Sequence, residues 1–140
     1  MDQRKRNAVV AVIVLIVVPI ALILAWRAWT GPGTLVAYTR SGGIAGTTER
    51  MVVYRDGNVV VSGNVDREFH TSDSRLARLE DALAAGEWPR QPTVYGEPQP
   101  DGFQHDISYN GHFVQTYDGA RRPGWLQEVL DVLGSIRASA

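Results

Sequence analysis

The segment FQHDISYNGHFVQTY, residues 103–117, is the clearest structural signal in the chain. Two alternating runs, Phe103–Tyr109 and His112–Tyr117, flank Asn110-Gly111. That dipeptide is favoured in two-residue hairpin turns because both positions tolerate positive φ. A two-residue turn sets the register: Tyr109 faces His112, Ile107 faces Val114 and His105 faces Thr116. Successive side chains of a strand point to opposite faces. Phe103, Ile107, Tyr109 and Val114 therefore share one face, which reads as the core side. Gln104, Asp106, Ser108 and Gln115 share the other with Phe113 and Tyr117, a mostly polar surface that carries two rings.

Asp118-Gly119 closes this hairpin. Pro123 suits the first turn of a last helix, whose apolar stripe is Trp125, Leu126, Val129, Leu130, Leu133 and Ile136. Before the hairpin, Glu87–Gly102 holds four of the seven prolines. A connection this long is uncommon in a small domain and often functional, although Thr93-Val94-Tyr95 could form a brief edge strand inside it. Further back, Thr71, Ser72 and Asp73 are candidate caps for a helix with Leu76, Leu79 and Leu83 on one side, and Gly86 marks its end. Leu35–Thr39, Met51–Arg55 and Asn58–Ser62 read as strands. Asp56-Gly57 makes a hairpin turn between the last two. Gly63-Asn64 is a further turn, and Val65–Thr71 is a weaker strand pattern. The expected class is α+β: a single N-terminal transmembrane helix, then a small antiparallel sheet with two helices on one face, in the order βββ-α-ββ-α.

The transmembrane expectation rests on Ala8–Trp26, 19 residues without a charged, Asn, Gln, Ser or Thr side chain. As a helix this run is ~28 Å long, close to the ~30 Å hydrocarbon thickness of a bilayer. Pro19 is tolerable in such a helix, and Trp26 and Trp29 suit its interfacial end. Arg4, Lys5 and Arg6 precede the run, whereas Arg27 stands alone after it. This asymmetry places residues 1–7 in the cytoplasm and the C-terminal domain across the cell membrane, as a single-pass protein. A cleaved secretory signal has a shorter apolar core and a small-x-small cleavage site, and Trp26-Arg27-Ala28 fits that poorly. Residues 27–34 form a linker and residues 35–138 the extracytoplasmic domain.

Length and composition narrow the chemistry. About 110 residues remain after the N-terminal segment, enough for one domain. The absence of cysteine removes thiolate zinc sites and thiol nucleophiles. From Thr30 onward 10 Lys/Arg stand against 14 Asp/Glu, interspersed and without a basic stripe, so no nucleic-acid partner is expected. The three histidines, His70, His105 and His112, form no HExxH or i, i+4 pair. The hairpin register separates His105 from His112 by ~13 Å along the strand, so no metal site and no cofactor are expected. Ser41 lies beside Gly42 and Gly43 but outside any G-x-S-x-G elbow. Asp106 and Asp118 lie on or beside the hairpin without a partner that the spacing specifies. With no catalytic constellation visible, the chain is not expected to be an enzyme.

Arg40-Ser41-Gly42-Gly43-Ile44-Ala45-Gly46 is neither a Walker loop nor a dinucleotide fingerprint. Its glycines permit positive φ and close backbone approach, which suits a tight turn, and also a loop that enters a partner's cleft. Together with Tyr38-Thr39 before it, this segment resembles the R-S-G-G-F-A-G opening of the emfourin family, proteins related to the protealysin inhibitor. Asp101-Gly102-Phe103-Gln104-His105 is similar to that family's D-x-F-x-Y motif, and Tyr117-Asp118-Gly119-Ala120 with Pro123 to its D-D-G-A-x-P ending. The resemblance covers most of Leu35–Arg137. Ile44 stands where phenylalanine is usual, Arg121 and Arg122 lengthen the approach to Pro123, Val59-Val60-Val61 makes a more distinct third strand, and the membrane anchor is an addition.

The resemblance implies a small α+β fold and inhibition of thermolysin-like zinc metallopeptidases. The expected function is thus a membrane-anchored extracytoplasmic binding module of the protease-inhibitor kind. Arg40, Ser41, Gly42, Gly43, Ile44, Ala45 and Gly46 are the candidate partner-binding residues, and Glu87–Gly102 is the second contact segment. The expected partners are the lipid bilayer and a metallopeptidase or other envelope protein. The alternative is an envelope protein-interaction or sensor domain that inhibits nothing.

Overall fold

Buried side chains recur at every second position along three strands: Val36 and Tyr38, Met51 and Val53, Val59 and Val61. Ile107 and Val114 continue the same face as a cross-strand pair, and Leu35 is buried beside Val36 where the register shifts. This is the pattern of a sheet covered on one side only. A computed structural model describes residues 33–140, which form one compact unit, Gly33–Ala140. Its strands are β1 (Thr34–Gly42), β2 (Thr47–Tyr54), β3 (Asn58–Ser62) and β4 (Arg67–His70), followed by helix α1 (Asp73–Ala85). Then come β5 (Thr93–Tyr95), β6 (Phe103–Tyr109), β7 (His112–Tyr117) and α2 (Gly124–Ala138). The spatial order is β4-β3-β2-β1-β6-β7-β5.

The expected class needs correction. Ala8–Trp26, the expected spanning helix, lies outside the described residues, and among the described residues no helix is long and apolar enough to cross a membrane. The sheet is also not the antiparallel βββ-α-ββ-α arrangement. It has seven strands and is mixed, because β5 pairs with β7 in parallel. The reason is topological. The chain reverses between β5 and β6 and again between β6 and β7, so β5 and β7 run the same way. β7 lies between β5 and β6 in the sheet, which makes the outer pair parallel. The weak pattern after Gly63 resolves into β4, antiparallel to β3.

The β6–β7 register is the one that Asn110-Gly111 dictates: Tyr109↔His112, Ile107↔Val114 and His105↔Thr116. β1 joins this hairpin to the rest of the sheet, pairing with β2 on one side and β6 on the other. Leu79 and Leu83 of α1 and Leu126, Val129, Val132, Leu133 and Ile136 of α2 complete the core. Full burial of each such side chain stabilises by ~1.5–3 kcal/mol against leaving it in water.

One of the three candidate caps is used, and the other helix ends differ in detail from expectation. Ser72 is the cap of α1, and its hydroxyl accepts from the Arg75 N–H at 3.3 Å. Gly86 ends the helix with φ −69°, open to any residue. Its glycine is required by space: a Cβ there would lie 2.7 Å from Trp88 Nε1 and 2.8 Å from Trp125 Cε3. The Trp88 indole N–H donates to the Leu83 carbonyl at 2.8 Å, joining the Gly86 N–H at 3.3 Å on an acceptor that lacks its usual helical partner at the C-terminus. Pro123 occupies the N-cap of α2, one position earlier than expected.

Candidate functional site

The segment proposed as a contact loop is half strand and half turn. Arg40, Ser41 and Gly42 are the last residues of β1, and only residues 43–46 form the turn to β2. Gly42, Gly43 and Gly46 have φ of 115°, 75° and 59°, a backbone region that costs an L side chain ~1–2 kcal/mol. The Gly46 N–H donates to the Gly43 carbonyl at 3.1 Å and closes the tip. Ile44, Ala45 and Gly46 are exposed, and Ile44 is 89% accessible, the most exposed of the large apolar side chains.

The base of the turn is anchored to the end of the proline-rich segment. The Gly43 N–H donates to the Gly102 carbonyl at 3.0 Å. In the β1–β6 register Gly42 lies opposite Phe103 and Arg40 opposite His105. The Arg40 guanidinium carbon sits 3.4 Å from the centre of the Phe103 ring, a cation–π contact worth ~0.5–1 kcal/mol when exposed. Gly43 abuts the far end of the same ring, where a Cβ would come 2.7 Å from Cζ. The two segments named from sequence as first and second contacts thus meet at one end of the sheet.

Beneath Phe103 runs a chain of polar side chains that sequence reading missed. The His105 ring is bonded at Nδ1 to the Tyr38 hydroxyl and at Nε2 to Asp118 Oδ1, both at 2.7 Å. The Asp118 carboxylate also accepts from the Phe103 N–H at 3.0 Å, and the Asp118 N–H donates to the Phe103 carbonyl at 3.0 Å. Burial pushes the Tyr38 hydroxyl up from 10.0 to about 12, outweighing the opposing pull of Arg40. Tyr38 therefore keeps its proton and donates to Nδ1, while the imidazole Nε2–H donates to the carboxylate. Burial alone would raise the Asp118 carboxyl. The bonds from His105 and the Phe103 N–H prevail and hold it below its usual 3.8.

This chain braces the turn from below. Its wiring resembles an acid–base relay whose Tyr38 end is buried, 6% exposed. Ser41 does not complete a triad with it. Ser41 pairs with Gln104, the neighbour of His105, and so projects from the opposite face of the sheet. Asp106 lies on that opposite face too, accepting from the Gln104 amide at 3.0 Å. His112 is bonded to the Pro89 carbonyl at 2.7 Å, and His70 is exposed beside the Asp56-Gly57 turn. Among the described residues no three His, Cys, Asp or Glu side chains converge on a point where a metal ion could sit. Behind Arg40, Glu49 is paired with Arg137 of α2, tying the last helix to the same end of the sheet.

On the uncovered face, the same end of the sheet holds an open cleft of ≈ 220 Å³. Its walls come from Ser41 and Gly42 of β1, Gln104 of β6, Tyr117 of β7, and Pro98, Gln99 and Gly102 of the proline-rich segment. No protein-family model and no curated protein matches the chain, which leaves the resemblance to emfourins resting on the motifs quoted above.

Proposed function

We propose that residues 33–140 form a non-enzymatic binding module that occludes the cleft of a thermolysin-like metallopeptidase, working outside the cytoplasm. The observation that carries this reading is Ile44, 89% accessible at the tip of a turn whose base is bonded to Gly102 and packed on Phe103. An apolar side chain held out in this way is destabilised by water and gains by burial in a partner. A turn already ordered before contact loses little conformational entropy on binding. Arg40 and Gly43 serve as the supports of that tip, and Ala45 and Gly46 give it a narrow profile. The extracytoplasmic setting is part of the proposal. It rests on the basic residues before Ala8 and the uncharged run after it.

The test is inhibition. The full chain in detergent is titrated into a thermolysin-like peptidase, and saturable loss of activity is expected, weakened by Ile44→Asp. Stable capture of a peptidase or other envelope protein without protection of peptidase substrate would favour the interaction-domain alternative instead.

A further inference from the structure

The cleft beside the turn has a chemistry of its own. At ≈ 220 Å³ it is smaller than the ~300–1,000 Å³ of sites that enclose whole metabolites. It is the size for one side chain. Consecutive Cα atoms are 3.8 Å apart, so Ile44 lies within about 7.6 Å of Gly42 on the cleft wall. A partner that covers this end of the sheet would meet both the tip and the cleft.

No wall residue is charged. The one carboxylate bonded to a wall residue, Asp106, is already engaged by the Gln104 amide, and an ionised side chain placed among uncharged walls loses hydration. The walls offer two kinds of contact. Pro98 and the Tyr117 ring are apolar surfaces that suit a flat ring, since aromatic pairs favour offset or tilted packing. Gln104 stands next to Ser41 of β1 on one side and Tyr117 of β7 on the other. The Gln104 amide nitrogen is already engaged by both oxygens of Asp106, at 3.0 and 3.2 Å. Its carbonyl oxygen is thereby fixed as the acceptor on the side away from Asp106. A ring whose tip donates a hydrogen bond satisfies both walls and acceptor.

The geometry points to a tyrosine of the partner as the occupant of this cleft, its ring between Pro98 and Tyr117 and its hydroxyl donating to Gln104 Oε1. The inference rests on the binding-module reading and extends it. The module presents Ile44 and at the same time receives a tyrosine from the partner's surface, so recognition runs in both directions across the contact.

N-acetyltyrosinamide is the probe, followed by amide NMR shifts of the full chain in detergent micelles. N-acetylphenylalaninamide, N-acetyllysinamide and N-acetylglucosamine serve as comparisons. The tyrosine probe is expected to shift the Ser41, Gly102 and Gln104 signals and to bind about 2- to 10-fold tighter than the phenylalanine probe, the worth of one net hydrogen bond. In Gln104→Leu that preference should vanish while the spectrum stays folded, an outcome that a merely structural glutamine would not give. Should Gln104→Leu fail to fold, Asp106→Asn, which keeps an acceptor for the Gln104 amide, should retain the preference. Equal binding of the tyrosine and phenylalanine probes would overturn the assignment, as would tighter binding of the lysine probe or the sugar. The readout uses no peptidase. A chain that discriminates tyrosine but inhibits nothing keeps the cleft and loses the proposed function, and the converse result does the reverse.

Discussion

Gly43 and Gly46 are two left-handed glycines in one turn, and replacing each by alanine separates backbone strain from packing. Both carry positive φ, 75° and 59°, so each substitution costs ~1–2 kcal/mol for the backbone alone. Space distinguishes them. A Cβ at Gly46 meets nothing within 4 Å, whereas at Gly43 it lies 2.7 Å from Phe103 Cζ and 3.0 Å from Cε1. The Arg40 guanidinium stacks on the Phe103 ring, so a ring that moves aside gives up that contact. Overpacking of that kind costs ~1–3 kcal/mol. Gly46→Ala is therefore expected to destabilise by about 1–2 kcal/mol and Gly43→Ala by about 2–5 kcal/mol. At roughly 4–8 °C per kcal/mol in a domain near this size, the ~1–3 kcal/mol packing penalty should separate the two melting temperatures by roughly 4–24 °C. Thermal and urea unfolding of the full chain in detergent, followed by circular dichroism, measures both. A double-mutant cycle completes the case. In a Phe103→Leu background the cost of Gly43→Ala should fall to that of Gly46→Ala, since the two residues act through direct contact. Equal costs for the two single alanines, or an undiminished cost in the Phe103→Leu background, would show that the ring does not support the turn.

Gly86→Ala tests the opposite case, a glycine with ordinary φ. It should destabilise by ~1–3 kcal/mol through the clash with Trp88 and Trp125, and tryptophan fluorescence during unfolding reads it out. Asp118 is held below 3.8 in the folded chain, so its contribution is present above the unfolded value and lost as pH falls through the folded one. Asp118→Asn should flatten that acid limb of the stability curve. Tyr38 is raised from 10.0 to about 12. Its stabilising effect is complete below pH 10 and disappears as pH rises toward 12. Tyr38→Phe should flatten the alkaline limb, and ultraviolet titration should lose the latest-ionising phenol.

Local chemistry was legible in the sequence where it acts over a few residues. Asn110-Gly111 dictated the β6–β7 register, Asp56-Gly57 the β2–β3 turn, and leucine spacing the helix α1. The positive φ of Gly42, Gly43 and Gly46 followed from residue type. Long-range pairing was not legible. Nothing near Thr93 announces that Tyr95 will pair in parallel with Thr116, because the pairing is set by β7 taking the place beside β6, and the β7 partners lie 21 positions downstream. The brace of Tyr38, His105 and Asp118 depends on β1 meeting β6, and strand pairing across 67 positions leaves no local mark. Parity alone held one clue: His105 shares the alternation of Ile107, which placed a histidine on the core side and called for a buried partner. The glycines that follow Arg40 and Ser41 suggest a turn at both. β1 extends through both because β2 and β6 supply partners on either side.

The proposed function requires the apolar Ile44 tip to enter a peptidase cleft. The direct measurement is the inhibition constant of the full chain in detergent against a thermolysin-like peptidase, for the natural sequence and for Ile44→Asp. Ile44 is 89% accessible, so Ile44→Asp should change folding stability by no more than ~0.5 kcal/mol. Loss of an apolar anchor should weaken inhibition by at least ~10-fold, as truncation of a central contact residue does. Inhibition unchanged by Ile44→Asp, or no inhibition by the folded natural chain at micromolar concentration, would contradict the claim.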